Sequence, residues 1–368
     1  MTILILNWKD IKHPQAGGAE VLTHELAKRL VKKGHKVIMF VSHFAGGKRN
    51  ESIDGVSVIR EGKSDLRALH NSVHYRAFKY YKKNLRGKVD IVIDEPHGMP
   101  FFAKFYVQEK VIALICEVAD KIWFRMFSFP WSLIGWILER IYLYFYRNLT
   151  ILTISSSTKQ ALIACGFKSK NITILPMGIT RVEVVSVKKE TKPTVIFVGR
   201  LNKMKGIVDA IKAVALTRKK IKNLSLWVVG RGETRFMDDL KKLAENEEID
   251  VTFWDFVSQQ KKFELMRRAH AIVVPSLQEG FGLIVPEAGF VGTPAVVYDV
   301  LGLRDTVING INGFRVNISP QSLAKGIEKI FVDKKKYQAM SLAAKKQSVQ
   351  YNWDNTAKKA LSIIENEI

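Results

Sequence analysis

The sequence predicts an α/β protein of two doubly wound domains, each built on a parallel sheet. Three observations predict this fold class: the chain length, a repeated alternation of apolar strands with amphipathic helices, and glycine-rich or charged motifs directly after strands. At 368 residues the chain can form two hydrophobic cores, because single cores stop growing near ~250 residues. Alternating strands and helices are typical of parallel sheets with right-handed crossovers.

The first half opens with a predicted strand at Ile3–Leu6. A loop holding Gly17 and Gly18 follows, then a helix from Ala19 to Lys33 that Gly34 ends. Further strands are predicted at Lys36–Val41, Val89–Ile93, Lys110–Ile115 and Ile151–Ile154.

The second half repeats the pattern after a polar, charged stretch from about Arg181 to Lys192, where hydrophobic periodicity stops. This stretch predicts domains at 1–184 and 185–350, with a separate tail at 351–368. The strands expected in the second half are Thr194–Val198, Leu224–Val229, Val251–Phe253, Ala271–Val274 and Ala295–Tyr298.

Charge and cysteine content narrow the class of partner. The chain has 58 Lys and Arg against 35 Asp and Glu, a net charge of +23. Such a surface attracts nucleic acid, phosphorylated substrates or anionic lipid, and charge alone does not choose among them. The two cysteines form no disulfide framework, and no cleavable signal opens the chain, so a cytoplasmic setting is expected.

The most informative run is the segment from Glu279 to Glu287, where two carboxylates lie eight residues apart around a glycine turn. Pro286 cannot lie deep in a helix, so a helix must begin just before it. The amides near Gly282 and Leu283 would then form a helix N-terminus, which suits a phosphate group. An anion site flanked by two hydroxyl-binding carboxylates is what a nucleotide-sugar needs.

A second motif, in which Gly199-Arg200-Leu201 precedes Lys205 by a few residues, follows the strand Thr194–Val198. Arg200 and Lys205 are candidates to hold a diphosphate and to stabilise the charge on a departing nucleotide. Gly230, after the next strand, fits a nucleotide-side loop. Because ligands of doubly wound sheets lie beyond the carboxyl ends of the strands, these motifs are expected at one cleft between two domains.

The segment V-V-P-S-L-Q-E-G-F-G-L-I-V-P-E-A and the motif G-R-L-x-x-x-K-G resemble the signatures of the retaining glycosyltransferases of family 4. The resemblance covers nearly the whole chain and implies the GT-B fold, two Rossmann-like domains facing a central cleft. It also implies transfer of a hexose from a UDP- or GDP-sugar with retained anomeric configuration, and a tail helix that crosses back to the first domain. No cofactor is implied.

The resemblance also implies site roles. Arg200 and Lys205 would contact the phosphates, Glu279 the sugar hydroxyls and Glu287 the ribose hydroxyls. His97, which follows the strand Val89–Ile93, would touch the acceptor or donor sugar, although a strand-end histidine also suits a purely structural hydrogen bond. The remaining donor-binding candidates are Gly17, Gly18, Gly199, Gly230, Gly280, Phe281, Gly282 and Leu283.

Two positions depart from the family pattern. Cys116 stands after the strand Lys110–Ile115, where relatives often have a histidine, and Asp255 stands where glycine is usual. No D-x-D motif and no Cys/His cluster occur in the sequence. A bound metal is therefore not expected, and cationic side chains with helix amides would take its place.

The segment Ile122–Tyr146 is rich in Trp, Phe, Tyr and Leu, and its uncharged core of 13 residues, Met126–Leu138, is too short to span a bilayer. It suits either in-plane contact with an anionic membrane or a buried helix pair. With the positive charge, it favours peripheral attachment to the inner face of the cell membrane and a lipid-linked glycan or glycolipid acceptor. The alternatives are another GT-B enzyme, such as a sugar phosphorylase or nucleotide-sugar epimerase, and a basic nucleic-acid-binding protein, for which no recognition motif is found.

Overall fold

A computed structural model describes residues 1–64, 69–97, 99–183 and 187–368. The chain divides into two compact units. The first unit comprises Met1–Gly178 and Asn352–Ile368, and the second comprises Ile179–Tyr351. The boundary expected between residues 184 and 185 lies outside the described residues.

The first unit contains an eight-stranded sheet with the order β3-β4-β2-β1-β5-β6-β7-β8, in which only β3 and β4 pair antiparallel. The strands are β1 (Thr2–Leu6), β2 (Lys36–Val41), β3 (Asn50–Ile53), β4 (Val56–Arg60), β5 (Ile91–Asp94), β6 (Lys110–Leu114), β7 (Ile151–Thr153) and β8 (Ile172–Ile174). Its helices are α1 (Gly18–Lys32), α2 (Val73–Tyr80), α3 (Trp123–Met126), α4 (Trp131–Tyr146) and α5 (Ser156–Ala164).

The sequence explains the first strand–helix pair well. β1 is an apolar run buried on both faces, as a central parallel strand requires. α1 begins after Gly17, whose N–H donates to the Glu20 carboxylate at 2.6 Å. Gly34 follows the helix with a φ of +87°, which favours glycine. The predicted helix is confirmed to within one residue at each end.

Sequence reasoning missed the hairpin of β3 and β4. Its two-residue turn is Asp54-Gly55, and both residues have positive φ, at 50° and 83°. Asp-Gly is a preferred pair for such turns, so this dipeptide was an available signal. The short strand β8 was missed as well, and so was the strand Gly313–Val316 of the second unit.

The second unit contains a six-stranded parallel sheet with the order β11-β10-β9-β12-β13-β14. The strands are β9 (Thr194–Val198), β10 (Ser225–Val229), β11 (Asp250–Trp254), β12 (Ala271–Val274), β13 (Ala295–Tyr298) and β14 (Gly313–Val316). The helices are α6 (Ile207–Arg218), α7 (Thr234–Asn246), α8 (Gln259–Arg268), α9 (Ile284–Phe290), α10 (Leu303–Thr306), α11 (Pro320–Val332) and α12 (Lys334–Ser348).

This strand order is that of a Rossmann sheet, and it has a topological switch point between β9 and β12. From β9 the chain winds outward through β10 and β11, then returns to β12 and winds the other way. The crossovers after β9 and β12 therefore leave on opposite faces of the sheet and open a crevice between their first loops. Every strand predicted in this unit from the sequence is present, with ends shifted by at most one residue.

The last helix, α13 (Trp353–Glu367), belongs to the first unit. The Arg29 Nε of α1 lies 2.6 Å from Oδ1 of Asp354. The Trp353 ring packs so closely on Gly178 that a Cβ there would lie 2.3 Å from the indole. These contacts hold the end of the chain against α1.

Candidate active site

An ion pair spans the switch point of the second unit. Lys205 lies in a turn after β9, and Glu279 lies in the loop after β12. The Lys205 Nζ donates to Oε1 of Glu279 at 2.5 Å, and Ser276 Oγ donates to the same oxygen at 2.8 Å. The Lys205 side chain is only 24% exposed and that of Glu279 16%. Two of the predicted site residues are thus brought together in the crevice where this fold binds ligands.

Glycine lets the two loops approach this closely. Gly206, directly after Lys205, has a φ of +71°, and a Cβ there would lie 2.0 Å from the carbonyl oxygen of Pro275. The Leu277 N–H also donates to the Met204 carbonyl at 2.9 Å. Any larger residue at 206 would separate the loops that carry Lys205 and Glu279.

The loops after β9 and β10 are joined in the same way. A Cβ on Gly230 would lie 1.9 Å from the carbonyl oxygen of Gly199. The Leu201 N–H donates to the Arg231 carbonyl at 2.8 Å. In this structure the predicted glycines Gly199 and Gly230 allow close backbone contact between the two loops. Arg200, between them, is exposed and, among the described residues, pairs with no carboxylate.

The glycine turn before α9 has the predicted form. Gly282 has a φ of +77°, the Val285 N–H donates to its carbonyl at 2.9 Å, and α9 begins two residues before Pro286. The expectation of a helix start just before the proline is confirmed. Gly280 precedes this turn. The Phe281 ring is buried, and its centroid lies 5.7 Å from that of the Tyr351 ring. In this structure Phe281 therefore packs against Tyr351.

Glu287 is held by a lysine that sequence reasoning did not single out. Its Oε2 lies 2.8 Å from Nζ of Lys262 on α8, with the two side chains 13% and 14% exposed. The pair orients the carboxylate at the start of α9. Lys262 carries no sequence signal beyond its place in a helix, because only the packing of α8 beside α9 brings it close.

In the first unit, a buried polar cluster lies at the carboxyl ends of the adjacent strands β1 and β5. The Asn7 Nδ2 and the Thr23 Oγ1 each donate to Oε2 of Glu95 at 2.7 Å. His97 Nε2 lies 3.9 Å from the same oxygen. Glu95 and Asn7 are fully buried, and within the described chain Oε1 of Glu95 and Oδ1 of Asn7 have no hydrogen-bond partner.

Sequence reasoning named His97 but missed Glu95 and Asn7, although Asn7 directly follows a predicted strand and Glu95 lies two residues after another. Burial raises the pKa of Glu95. Burial also disfavours the charged form of His97, but the neighbouring Glu95 outweighs this and raises the pKa of His97. Gly17 and Gly18 form the N-terminal end of α1, with Gly17 as its N-cap.

The two residues that depart from the family pattern, Cys116 and Asp255, lie in ordinary structural environments. Cys116 is buried, and burial raises the pKa of its thiol well above the usual value, so the thiol stays protonated. Asp255 is exposed with its Oδ1 3.4 Å from Nε of Arg231. Within the described chain, no group of three or more His, Cys, Asp or Glu residues is arranged to hold a metal ion.

The aromatic segment of the first unit has two different sides. Tyr142, Leu143 and Tyr146 of α4 are buried in the core, and Gly135 lies so close to the Trp123 ring that a Cβ would be 2.3 Å away. The other side is exposed. We call it the apolar face, and its members are Phe124, Phe127, Phe129, Trp131, Leu133, Ile134, Ile137, Leu138, Ile141, Tyr144 and Phe145. A fully buried helix pair is therefore wrong for this segment. Among the described residues, no helix combines the length and apolar character that spanning a bilayer requires.

Two family models match adjoining parts of the chain. The model described as glycosyl transferases group 1 matches residues 179–347, and the model described as glycosyltransferase family 4 matches residues 16–181. A glycosyltransferase of Methanocaldococcus jannaschii, itself uncharacterised, is 28% identical over 242 residues, which are 60% of this chain and 61% of that protein. The curated relatives are matched over 40% to 61% of their length.

Solved structures show the same fold. Sucrose-phosphate synthase from Thermosynechococcus elongatus superposes with a TM-score of 0.82 at 19% identity, covering 99% of this chain and 98% of that one. An Anabaena protein solved with UDP-glucose gives a TM-score of 0.74 at 16% identity over 100% of both chains. The predicted fold class and family resemblance are confirmed: the two glycosyltransferase models together match residues 16–347, and both units are Rossmann-like, as in the GT-B fold.

Proposed function

We propose that this protein is a retaining glycosyltransferase that moves a hexose from a UDP- or GDP-sugar to a glycan acceptor without a bound metal ion. The observation that carries the proposal is the Lys205–Glu279 pair at the switch point of the second unit. The pair places a cation that suits a phosphate beside a carboxylate that suits hydroxyl groups. A nucleotide-sugar has its diphosphate bonded directly to its hexose, so the two groups could be bound side by side.

In this proposal the charges of the second unit divide between the two ends of the donor. Lys205, Arg200 and the amides near Gly282 and Leu283 bind the diphosphate and stabilise the charge that grows on it as the glycosidic bond breaks. Glu279 binds hexose hydroxyls, and its present bond to Lys205 exchanges for these when the donor enters.

Glu287 accepts hydrogen bonds from the ribose hydroxyls, and Lys262 holds its carboxylate in position for this purpose. The glycines at 199, 230 and 280 allow backbone to approach the nucleotide. Attack on the same face as departure, assisted by the leaving phosphate, requires no glutamate nucleophile.

The first unit is proposed to bind the acceptor. Its sheet also contributes to donor binding: Gly17 and Gly18, proposed to contact the donor, and His97, proposed to touch the acceptor or donor sugar, lie at the carboxyl edge, where doubly wound sheets bind ligands. The unpaired oxygens of Glu95 and Asn7 are acceptors that sugar hydroxyls could satisfy.

A lipid-linked glycan or glycolipid acceptor, with peripheral attachment to an anionic membrane, is supported by the apolar face together with the net charge of +23. Aromatic side chains on an exposed helix suit the headgroup region, and Lys and Arg attract anionic lipid. Such an enzyme would work at the inner face of the cell membrane.

The proposal is tested by thermal unfolding with UDP-, GDP- and ADP-sugars, followed by an assay for free nucleoside diphosphate in the presence of acceptor lipids. A donor at 100 times its Kd stabilises by about 2.7 kcal/mol, which raises the Tm by roughly 5–10 °C in a domain of this size. Sugars linked to one nucleotide base should raise the Tm more than the others, and the Lys205→Ala variant should show no such rise. If no nucleotide-sugar raises the Tm, the proposal is wrong. Dependence on inorganic phosphate as co-substrate would instead indicate a phosphorylase.

A further inference from the structure

The first unit contains a large open cavity at the carboxyl edge of its sheet. Its volume is about 950 Å³, and it is lined by residues that follow β1 and β2, by the end of β4 and by α2. A pocket of this size suits a small organic ligand and is far larger than a single ion needs. We call it the cationic cavity, because among the described residues Arg49, Arg60, Lys63 and Arg76 line it against one carboxylate, that of Glu61.

Two of these cations, Arg60 and Arg49, are paired with carboxylates and form part of the cavity wall. Arg60 is fully buried and lies 2.7 Å and 3.0 Å from the two carboxylate oxygens of Asp10, and 2.9 Å from Glu51. Arg49 pairs with Glu61 at 2.5 Å. A buried, paired arginine is rigid, so this part of the cavity is preformed.

The other two cations are different. Among the described residues, neither the Lys63 ammonium nor the Arg76 guanidinium is paired with a carboxylate, and both side chains are exposed. Their backbones are nevertheless fixed: the Lys63 N–H donates to Asn71 at 2.7 Å, and its carbonyl accepts from Val73 at 2.9 Å. Arg76 lies on α2, and its Nε donates to Oδ1 of Asn71 at 3.3 Å.

Phe44 and His13 form a neutral part of the remaining wall. The Phe44 ring lies 5.2 Å from both the Arg60 guanidinium and the His13 ring. Burial, and next to it the charge of Lys9, lowers the pKa of His13, so the imidazole is neutral at pH 7. Neutral polar and aromatic walls beside two unpaired cations suit a ligand with a compact anion and an uncharged, hydroxyl-bearing body.

From this arrangement we propose that the cationic cavity binds a phosphate group on the acceptor, with Lys63 and Arg76 as its direct partners. The inference rests on the proposed function in one respect, namely that the first unit binds the acceptor. The phosphate can belong to a soluble sugar phosphate or to a lipid headgroup, because the two present the same anion. Arg76 supplies directional N–H groups, and Lys63 supplies a point charge.

The test is equilibrium binding of two probes to the full chain. One probe is glycerol phosphate, measured by calorimetry, and the other is phosphatidylcholine vesicles with and without phosphatidic acid, measured by sedimentation. The double variant Lys63→Ala/Arg76→Ala should bind at least one probe tenfold or more weakly than the wild type. Loss with glycerol phosphate alone indicates a soluble acceptor, and loss with phosphatidic acid vesicles alone indicates a lipid headgroup.

Two further variants make the result specific. Lys33→Ala removes an exposed cation at the end of α1, at the opposite edge of the sheet, and should bind both probes within twofold of the wild type. Arg200→Ala/Lys205→Ala removes the proposed phosphate partners of the second unit. If that variant alone loses phosphate binding, or if the Lys63/Arg76 variant binds both probes normally, the inference is overturned.

The outcome is separable from that of the proposed function. The Tm shift with nucleotide-sugar depends on the second unit and should be unchanged in Lys63→Ala/Arg76→Ala. Suppose that nucleotide-sugar gives no Tm shift in the wild type, and that phosphate binding is lost only in Lys63→Ala/Arg76→Ala. That result would contradict the proposed function but support the phosphate site.

Discussion

Lys205 and Glu279 are 74 residues apart in sequence, yet the Lys205 Nζ lies 2.5 Å from a carboxylate oxygen of Glu279. The topology of the second sheet explains this contact. β9 and β12 are adjacent, and the loops that follow them meet where the chain changes its winding direction. Gly206 removes the side chain that would otherwise hold the loops apart. The pair is therefore a direct product of strand order and of one glycine.

We expect Lys205→Ala and Glu279→Ala each to lower kcat/KM by roughly 10²–10³-fold, because each removes a group proposed to stabilise the transition state. Each substitution also leaves its partly buried partner unpaired, so a modest fall in Tm is expected while the fold persists. Initial rates with the preferred donor and circular dichroism check both expectations. Lys220→Ala is the matched control, because it breaks a surface pair with Glu328 of 2.7 Å and lies just past the end of α6, the helix whose start follows the Lys205 loop. Normal turnover by either folded site variant would remove the assignment.

Glu287→Gln should act mainly on donor binding. A charge-assisted hydrogen bond to ribose is worth about 1.5–3 kcal/mol, so the KM for the donor should rise roughly tenfold or more. The ribose contact is made equally in the ground and transition states, and kcat should therefore change little. Steady-state kinetics with varied donor distinguish the two parameters. An unchanged KM with a collapsed kcat would place Glu287 at the reacting bond instead.

Activity should persist after the protein is treated with EDTA and dialysed. The physical reason is that guanidinium, ammonium and backbone amides can supply the positive charge that a metal would bring to the diphosphate. Transfer rates before and after chelation, and after added Mn²⁺ or Mg²⁺, make the measurement. Complete loss that only Mn²⁺ restores would contradict the metal-free proposal.

Lys189 predicts a pH dependence of stability. Its ammonium donates to the Ala269 carbonyl at 2.6 Å and to Thr293 Oγ1 at 2.7 Å, and burial lowers its pKa from 10.5 to about 7. Between those values the unfolded chain binds more protons than the folded one, so the free energy of unfolding rises as pH increases above 7. After allowance for solvent screening, we expect the free energy of unfolding to rise by about 1–2 kcal/mol between pH 7 and 9.

Urea unfolding at several pH values isolates this contribution. In Lys189→Met the rise with pH should be smaller by that amount, even though the lost hydrogen bonds lower stability overall. Lys188→Met, at an exposed neighbouring position, should keep the wild-type slope. Equal slopes in the wild type and Lys189→Met would show that Lys189 does not titrate near neutrality.

The apolar face should control membrane binding. Phe129 is 78% exposed and Leu138 56% exposed, and full burial of such a side chain contributes about 1.5–3 kcal/mol. Phe129→Ser/Leu138→Ser should therefore reduce flotation with anionic vesicles by roughly tenfold or more. Leu342→Ser, at a 69% exposed position in the second unit, is the control and should float like the wild type. If the double variant floats normally, the apolar face is not the membrane contact.

Much of the fold could be predicted from the sequence because central parallel strands are continuous apolar runs with glycine or charge directly after them. β9, β12 and α9 illustrate this, since an apolar run or a proline marks each of them. β8 and β14 have only three and four residues and no strongly apolar run, so local pattern did not reveal them.

The sequence by itself determined the fold class, the family and the candidate residues Arg200, Lys205, Glu279 and Glu287, because these depend on local spacing around strands and turns. Only the tertiary structure decided which of them touch and what surrounds them. Lys262 beside Glu287, Asn7 beside Glu95 and Lys63 near Arg76 come together through strand order and helix packing. The physical reason is that burial and pairing of charges depend on three-dimensional distance, which spacing along the chain does not encode.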